Sequence, residues 1–244
     1  MSYVEHPPPP ALAPWLACMW ERAAADGPPV RVLPDGCIDL VWIEGFGTQI
    51  VGPNTTAFVV ELRPGTRVAG ARLRPGAAPS LLGVAAESVL DARVPVHAVW
   101  SDAGARLAAS LDAGLDPTGR LRGWLVERAP HVDRPDPLVR DAIARLDRPG
   151  VVIGRVADDL GLSERQLRRR VSSAVGYGPK RLARVLRLQR ALEAGRTGAD
   201  LAGAALDAGY ADQAHFANDC RVLAGVSPSA ILRPAPSPTA AQAA

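Results

Sequence analysis

Arg165, Arg168, Arg169 and Ser172 share one face of any helix built over 163–175, because Leu167, Val171, Ala174 and Val175 take the other at i, i+4, i+7 and i+8. A row of guanidinium groups does the chemistry of polyanions: it can bridge guanine O6 and N7 or clamp phosphates, and a helix fits the DNA major groove. Ser163 and Gln166 stand at capping-box spacing, which marks the helix start. Ahead of them a shorter helix turns Val156, Ala157 and Leu160 inward, and Gly161 supplies the left-handed turn between the two. This is a helix-turn-helix pattern with Ser163, Arg165, Gln166, Arg168, Arg169 and Ser172 as its outward face. From this unit alone, a helical hairpin with a solvated arginine face reads equally well.

The pattern recurs 48 residues later. Leu201, Ala205, Gly209, Phe216 and Cys220 repeat the apolar, small, glycine, apolar, apolar order of Val152–Val171, with a turn one residue longer. Its outward face would be Gln213, Ala214, Ala217, Asn218 and Arg221, flanked by His215 and Asp219. Asn and Gln pair bidentately with adenine, and Arg takes guanine or phosphate. Between the units Pro179–Ala194 reads as a helical rod of roughly 24 Å at 1.5 Å per residue. Such a rod can hold two reading helices in successive major grooves, about 34 Å apart. Arg181, Arg184, Arg187 and Arg190 recur every three residues around it, and about half of them are expected to touch phosphate.

The elements that must position these residues follow from the whole chain. Its 244 residues are 48% hydrophobic and 22% charged, values of a globular protein with room for two domains. Charge is uneven: residues 1–129 carry 11 Arg against 13 acids, and residues 130–244 carry 17 basic residues against 12 acids, net −2 and +5. Between Gly161 and Arg190 nine basic residues meet one acid, Glu164. No apolar run reaches the roughly 18 residues of a membrane span. The opening MSYVEHPPPP lacks the basic end and apolar run of an export signal, so a cytoplasmic protein without a membrane partner is expected.

From Val30 to Leu73 five short apolar runs separated by turn residues predict strands: VRVL, CIDLVWI, QIVG, AFVVEL and TRVAGARL. After Arg74-Pro75-Gly76 the pattern is helical, through AAPSLLGVA, Val96–Leu111 and Pro117–Arg128. Thus an α+β domain over 1–128, a small sheet plus helices, precedes a proline-rich linker over 129–136. An all-α domain with two helix-turn-helix units fills 137–233, and a disordered tail is expected over 234–244.

The motifs LSERQLRRRV, RLQRAL at Arg187–Leu192 and GYADQAHFANDCRVLAGVSPS at Gly209–Ser229 resemble the AraC/XylS family of transcription regulators across Asp136–Leu232. The resemblance implies seven helices carrying two helix-turn-helix units, with base contacts from Arg165, Arg168 and Arg169 on the first and Gln213, Asn218 and Arg221 on the second. Val171 and Cys220 depart from it, standing where the family has aromatic residues, both at inward positions. Val32–Trp100 resembles the N-terminal domain of one AraC-type subgroup through LPDGCIDLVW, VGPNT, ARLRPGAAPSLLG and VPVHAVW, and that match brings no ligand with it. The expected partners are double-stranded DNA across two adjacent turns, a small-molecule effector or a second copy of the chain at the N-terminal domain, and RNA polymerase. No cofactor or metal is expected.

Two rival functions carry their own requirements. A DNA-repair methyl acceptor fused to such a domain needs a metal-bound cysteine cluster, and Cys18 and Cys37 are too few. Cys37 reads as a small core residue, and GxSxG, GxGxxG, Walker and HExxH motifs are absent, so no enzyme is expected. A non-specific nucleic-acid-binding protein would bind all duplexes alike. The five tryptophans, Trp15, Trp20, Trp42, Trp100 and Trp124, fit core, dimer contact or an aromatic pocket alike, and His97 fits a helix surface.

Overall fold

The computed structural model describes residues 2–24, 29–198 and 200–232. All five expected strands form: β3 (Val30–Val32), β4 (Ile38–Ile43), β5 (Gly47–Val51), β6 (Phe58–Val60) and β7 (Arg67–Leu73). Three more were not legible as strands. β1 (Ser2–His6) is an edge strand paired with β2 (Leu16–Ala23), β2 runs against β7 with an irregularity between Leu16 and Cys18, and β8 (Arg93–Pro95) has three residues. The strands make a six-stranded antiparallel sheet in the order β1-β2-β7-β4-β5-β8, and a two-stranded sheet of β3 and β6.

Alternation along β4 sets the two faces of the large sheet. Ile38, Leu40 and Trp42 join Ile50, Ala69, Ala71 and Leu73 in a core shared with α1 (Ala78–Leu82), α2 (Val96–Asp112) and α3 (Pro117–Arg128). Helix α2 is broken at Ser101, whose φ of 46° is not helical. Trp15, Trp42 and Trp100 are buried, and each donates its indole N–H: to Asp133 O at 3.2 Å, Asp112 Oδ1 at 2.7 Å and Leu82 O at 2.9 Å. On the opposite face Trp20 lies across Gly70, where an added Cβ would come within 2.3 Å of the ring.

The expected linker is ordered: Ala129–His131 forms a 3-10 turn, and Trp15 holds Asp133 against the first core. Among the described residues seven α-helices then follow: α4 (Pro137–Leu146), α5 (Ile153–Asp159), α6 (Glu164–Val175), α7 (Pro179–Arg196), α8 (Leu201–Asp207), α9 (Gln213–Asp219, continued by a π turn over Cys220–Ala224) and α10 (Pro228–Leu232). They enclose a second core of Val139, Leu146, Val156, Leu167, Leu182, Leu188, Phe216 and Leu223 among others. Val171 and Cys220 are fully buried in it, as their inward positions require. The tail expected from Pro234 onward lies outside the described residues. Among the described residues no helix is long and apolar enough to cross a membrane.

The two halves are docked rather than merely tethered. Ala57 N donates to Leu223 O at 2.6 Å, Arg31 to Ala224 O at 3.1 Å, Arg181 to Thr55 O at 3.2 Å and Gln189 to Pro34 O at 2.7 Å. Gly176 ends α6 in the left-handed region at φ 95°, and a Cβ there would sit 2.6 Å from Pro53 Cγ. The LPDG and VGPNT segments, which the sequence marks only as motifs, are therefore the loops that meet α6 and α7.

Candidate nucleic-acid interface

Helix α6 starts as its capping box requires. Gln166 N donates to Ser163 Oγ at 3.3 Å, and Ser163 N donates to Gln166 Oε1 at 2.8 Å. With Leu167, Val171, Ala174 and Val175 buried, Arg165, Arg168 and Arg169 are left fully on the solvent side, beside a half-buried Ser172. Ser163 and Gln166 are exposed at the same end, with their oxygens already used by the cap.

The second unit repeats the turn bond of the first. Leu162 N donates to Ala157 O at 2.9 Å, and 48 residues on, Tyr210 N donates to Ala205 O at 2.9 Å. Gly161 and Gly209 both take positive φ, 65° and 90°, and both alanines are buried. Asp212 caps α9 by accepting His215 N at 2.7 Å, after a turn one residue longer than in the first unit. Phe216 and Cys220 face inward; Gln213, Ala214, Asn218 and Arg221 are exposed, Ala217 is half-buried, and the Arg221 side chain folds back to Ala217 O at 3.2 Å.

Asp219 corrects the sequence reading. The sequence puts it on the flank of the outward face, yet it is 2% exposed and accepts bonds from Arg184 Nε at 2.7 Å and Arg187 Nη2 at 3.0 Å. It stands three residues after Phe216 and one before Cys220, both fully buried, so ordinary helical spacing puts it at the edge of the inward face. Arg187 also stacks over the Tyr210 ring at 4.3 Å, and Arg190 bonds Asp147 and Ala208 O. All four arginines of the rod thus have acceptors inside the protein, and three of them fasten α7 to neighbouring helices. Arg181 is exposed and bonded only to a main-chain oxygen, Thr55 O, whereas Arg184 is committed to Asp219.

Sequence reasoning missed a cavity of about 880 Å³ on the face of the large sheet away from the first core. β3 and β6 line it, as do Gln189 and Arg196 of α7 and Ala230 and Ile231 of α10, so both halves supply its wall. At one end Arg72 faces three carboxylates: Asp39 at 3.3 Å, Glu5 at 3.7 Å and Asp35 at 3.8 Å. Burial pushes the Asp39 carboxyl up to about 6, outweighing the attraction of Arg72. The alternating Asp35, Cys37 and Asp39 of the sequence gave no sign of this, because their partners come from β1, β2 and β7.

Cys18, Cys37 and Cys220 are free thiols. Burial pushes Cys18 up to about 11 and Cys220 up to about 12, and raises Cys37 well above the ordinary thiol range, so all three stay protonated and poorly nucleophilic at neutral pH. His97 is on the surface.

Comparison with known proteins agrees with this geometry. Residues 156–234 match the model of a helix-turn-helix domain family, and residues 4–95 match a domain of unknown function (DUF6597). No curated protein matches the chain. Among solved structures, a probable AraC family transcriptional regulator from Rhodopseudomonas palustris is 30% identical, covering 41% of this chain and 100% of that one, with a TM-score of 0.35. A transcriptional regulator with an AraC-type DNA-binding domain from Chromobacterium violaceum is 25% identical over 39% of this chain and 89% of that one, with a TM-score of 0.36. ToxT from Vibrio cholerae is 13% identical over 88% of this chain and 95% of its own, with a TM-score of 0.46. Two helix-turn-helix units on one rod define a DNA-binding transcription regulator. By the identity along the whole of the Rhodopseudomonas relative, the chain belongs to the AraC family.

Proposed function

We propose that the protein is a sequence-specific regulator that reads two adjacent major grooves with α6 and α9. Arg165, Arg168, Arg169 and Ser172 would contact one half-site, and Gln213, Asn218 and Arg221 the other, with Ala214 and Ala217 available to thymine methyls. Ser163, Gln166 and Arg181 would meet backbone phosphates, and Arg184 would act by holding α9 to α7. The observation that carries this reading is the duplicated turn, which presents two polar helix faces from one rigid core. Residues 137–233 are then the DNA-binding domain and 1–128 the controlling domain. The interdomain cavity is the place for a small-molecule effector, whose binding would be felt at α7. Pairing of two N-terminal domains and contact with RNA polymerase belong to the same reading, and action on DNA places the protein in the cytoplasm. An enzymatic role gains no support from three protonated thiols, two of them buried and Cys37 half-buried.

The test is substitution of Arg169 by Ala, measured on the protein's own upstream DNA and on unrelated duplex of equal length. Loss of about 1–3 kcal/mol on the specific site alone is expected for a base contact. Equal loss on both duplexes would refute base reading by this residue.

A further inference from the structure

We infer that the interdomain cavity takes a small organic cation, with an ammonium or guanidinium group at the Asp35–Asp39 end and an apolar body against Val41, Val51, Phe58 and Val60. The inference rests on the reading of this cavity as the effector site, and it names the ligand's chemistry.

The charge balance at the inner end carries the argument. Glu5, Asp35 and Asp39 converge on one guanidinium, that of Arg72, within 3.3 to 3.8 Å. One cation thus faces three acids, which leaves the corner short of positive charge. Both bonds that Asp39 accepts, from Trp20 Nε1 at 2.9 Å and Arg72 Nε at 3.3 Å, fall on Oδ1. Asp35 Oδ1 accepts from the near-by Cys37 N at 2.9 Å. Oδ2 of Asp39 therefore has acceptor capacity for a donor arriving through the cavity, which Asp39 and Asp35 both line.

Aromatic rings complete the corner. Tyr3 and Trp20 stand 5.9 Å apart, and Trp20 lies flat across Gly70 because that position has no Cβ. A ring face beside carboxylates favours a cation and disfavours a carboxylate. The preference belongs to this corner, where Arg72 is the arginine of the wall that meets the three acids. Arg31, Arg93 and Arg196 are exposed and already engaged, with Ala224 O, the Phe58 ring at 4.1 Å and Glu193 respectively, and Arg22 has contacts of its own. The volume, about 880 Å³, lies within the range of small-molecule sites. Because Gln189 and Ile231 line the cavity, an occupant that reaches them touches α7, which lies between the two reading units, and α10.

Charge-matched pairs test this on the full chain: hexylamine against hexanoate, phenethylamine against 3-phenylpropanoate, and agmatine, by calorimetry at pH 7.5 and by thermal unfolding. Amines should bind and raise Tm where their carboxylate partners do not. Asp39→Asn and Asp35→Asn should each weaken amine binding at least about 10-fold while keeping the wild-type fold by circular dichroism. The tryptophan fluorescence change on binding should shrink in Trp20→Phe. Binding of the carboxylates and not the amines would overturn the charge assignment and leave the cavity standing as an effector site. Amine binding indifferent to both aspartate variants would overturn the placement. Silence from every probe would overturn the organic-cation proposal, and the effector reading is then tested apart from it by neutral ligands.

Discussion

Replacing Asp219 by Ala should cost far more than an outward-facing aspartate on a short helix would suggest. Its carboxylate is 2% exposed and accepts two charge-assisted bonds, at 2.7 and 3.0 Å, from arginines on α7. Such bonds contribute about 1.5–3 kcal/mol each. Breaking a fully buried ion pair costs about 3–5 kcal/mol, because the abandoned charge stays in a dry interior. Here Arg184 and Arg187 keep 32% and 24% of their side-chain surface in contact with water, so they rehydrate in part once the acid is gone. The net loss should be about 2–4 kcal/mol, read as the shift in urea unfolding of the full chain. A cycle with Arg184→Met should show coupling above about 1 kcal/mol. Because Asp219 fastens α9 to α7, the variant should also lose affinity for a two-groove site while touching no base. A stability change under about 0.5 kcal/mol, the range of ordinary surface substitutions, would refute the clamp.

Three other outcomes follow from the geometry. Gly176→Ala should destabilise by about 1–3 kcal/mol, since φ is 95° and the new methyl would meet Pro53 Cγ at 2.6 Å; unchanged urea midpoints would show that the α6 contact with the N-terminal domain is slack. Asp39, raised to about 6, stabilises the fold most when protonated, and that contribution is lost as pH rises from about 4 through 6. Asp39→Asn should therefore gain on wild type by roughly 2 kcal/mol between pH 4 and 7, and a gain of the opposite sign would mean that Arg72 outweighs burial. Gly70→Ala should displace Trp20 and alter its fluorescence while the first core, on the other face of the sheet, keeps its helical signal; an unaltered spectrum would place the ring elsewhere.

The helical half was legible because its signals are local. Ser163 and Gln166 cap a helix three residues apart, Pro137 and Pro179 open helices, and Gly161 and Gly209 need no distant partner to define their turns. The five strands between Val30 and Leu73 were legible from alternation and turn residues, whereas β1 depends on one partner and a proline run that hides its end. Asp219 misled because an acid at the edge of the inward face reads as solvated until its partners are known, and those, Arg184 and Arg187, come from α7, 35 and 32 positions away. The cavity and the docking loops were invisible for a deeper reason. Arg72 meets Glu5 across 67 positions, and Gln189 meets Pro34 across 155, so only the assembled sheet order brings them together.

The central claim, specific reading of DNA by two faces held on one rod, is tested most directly by equilibrium binding across a salt series. The two duplexes are the protein's own upstream region and a scrambled sequence of equal length. The account predicts a preference of about 10³ or more for the specific duplex, with affinity for both falling steeply as salt rises because phosphates are neutralised by arginine. Equal affinity for the two duplexes at every salt concentration would contradict it.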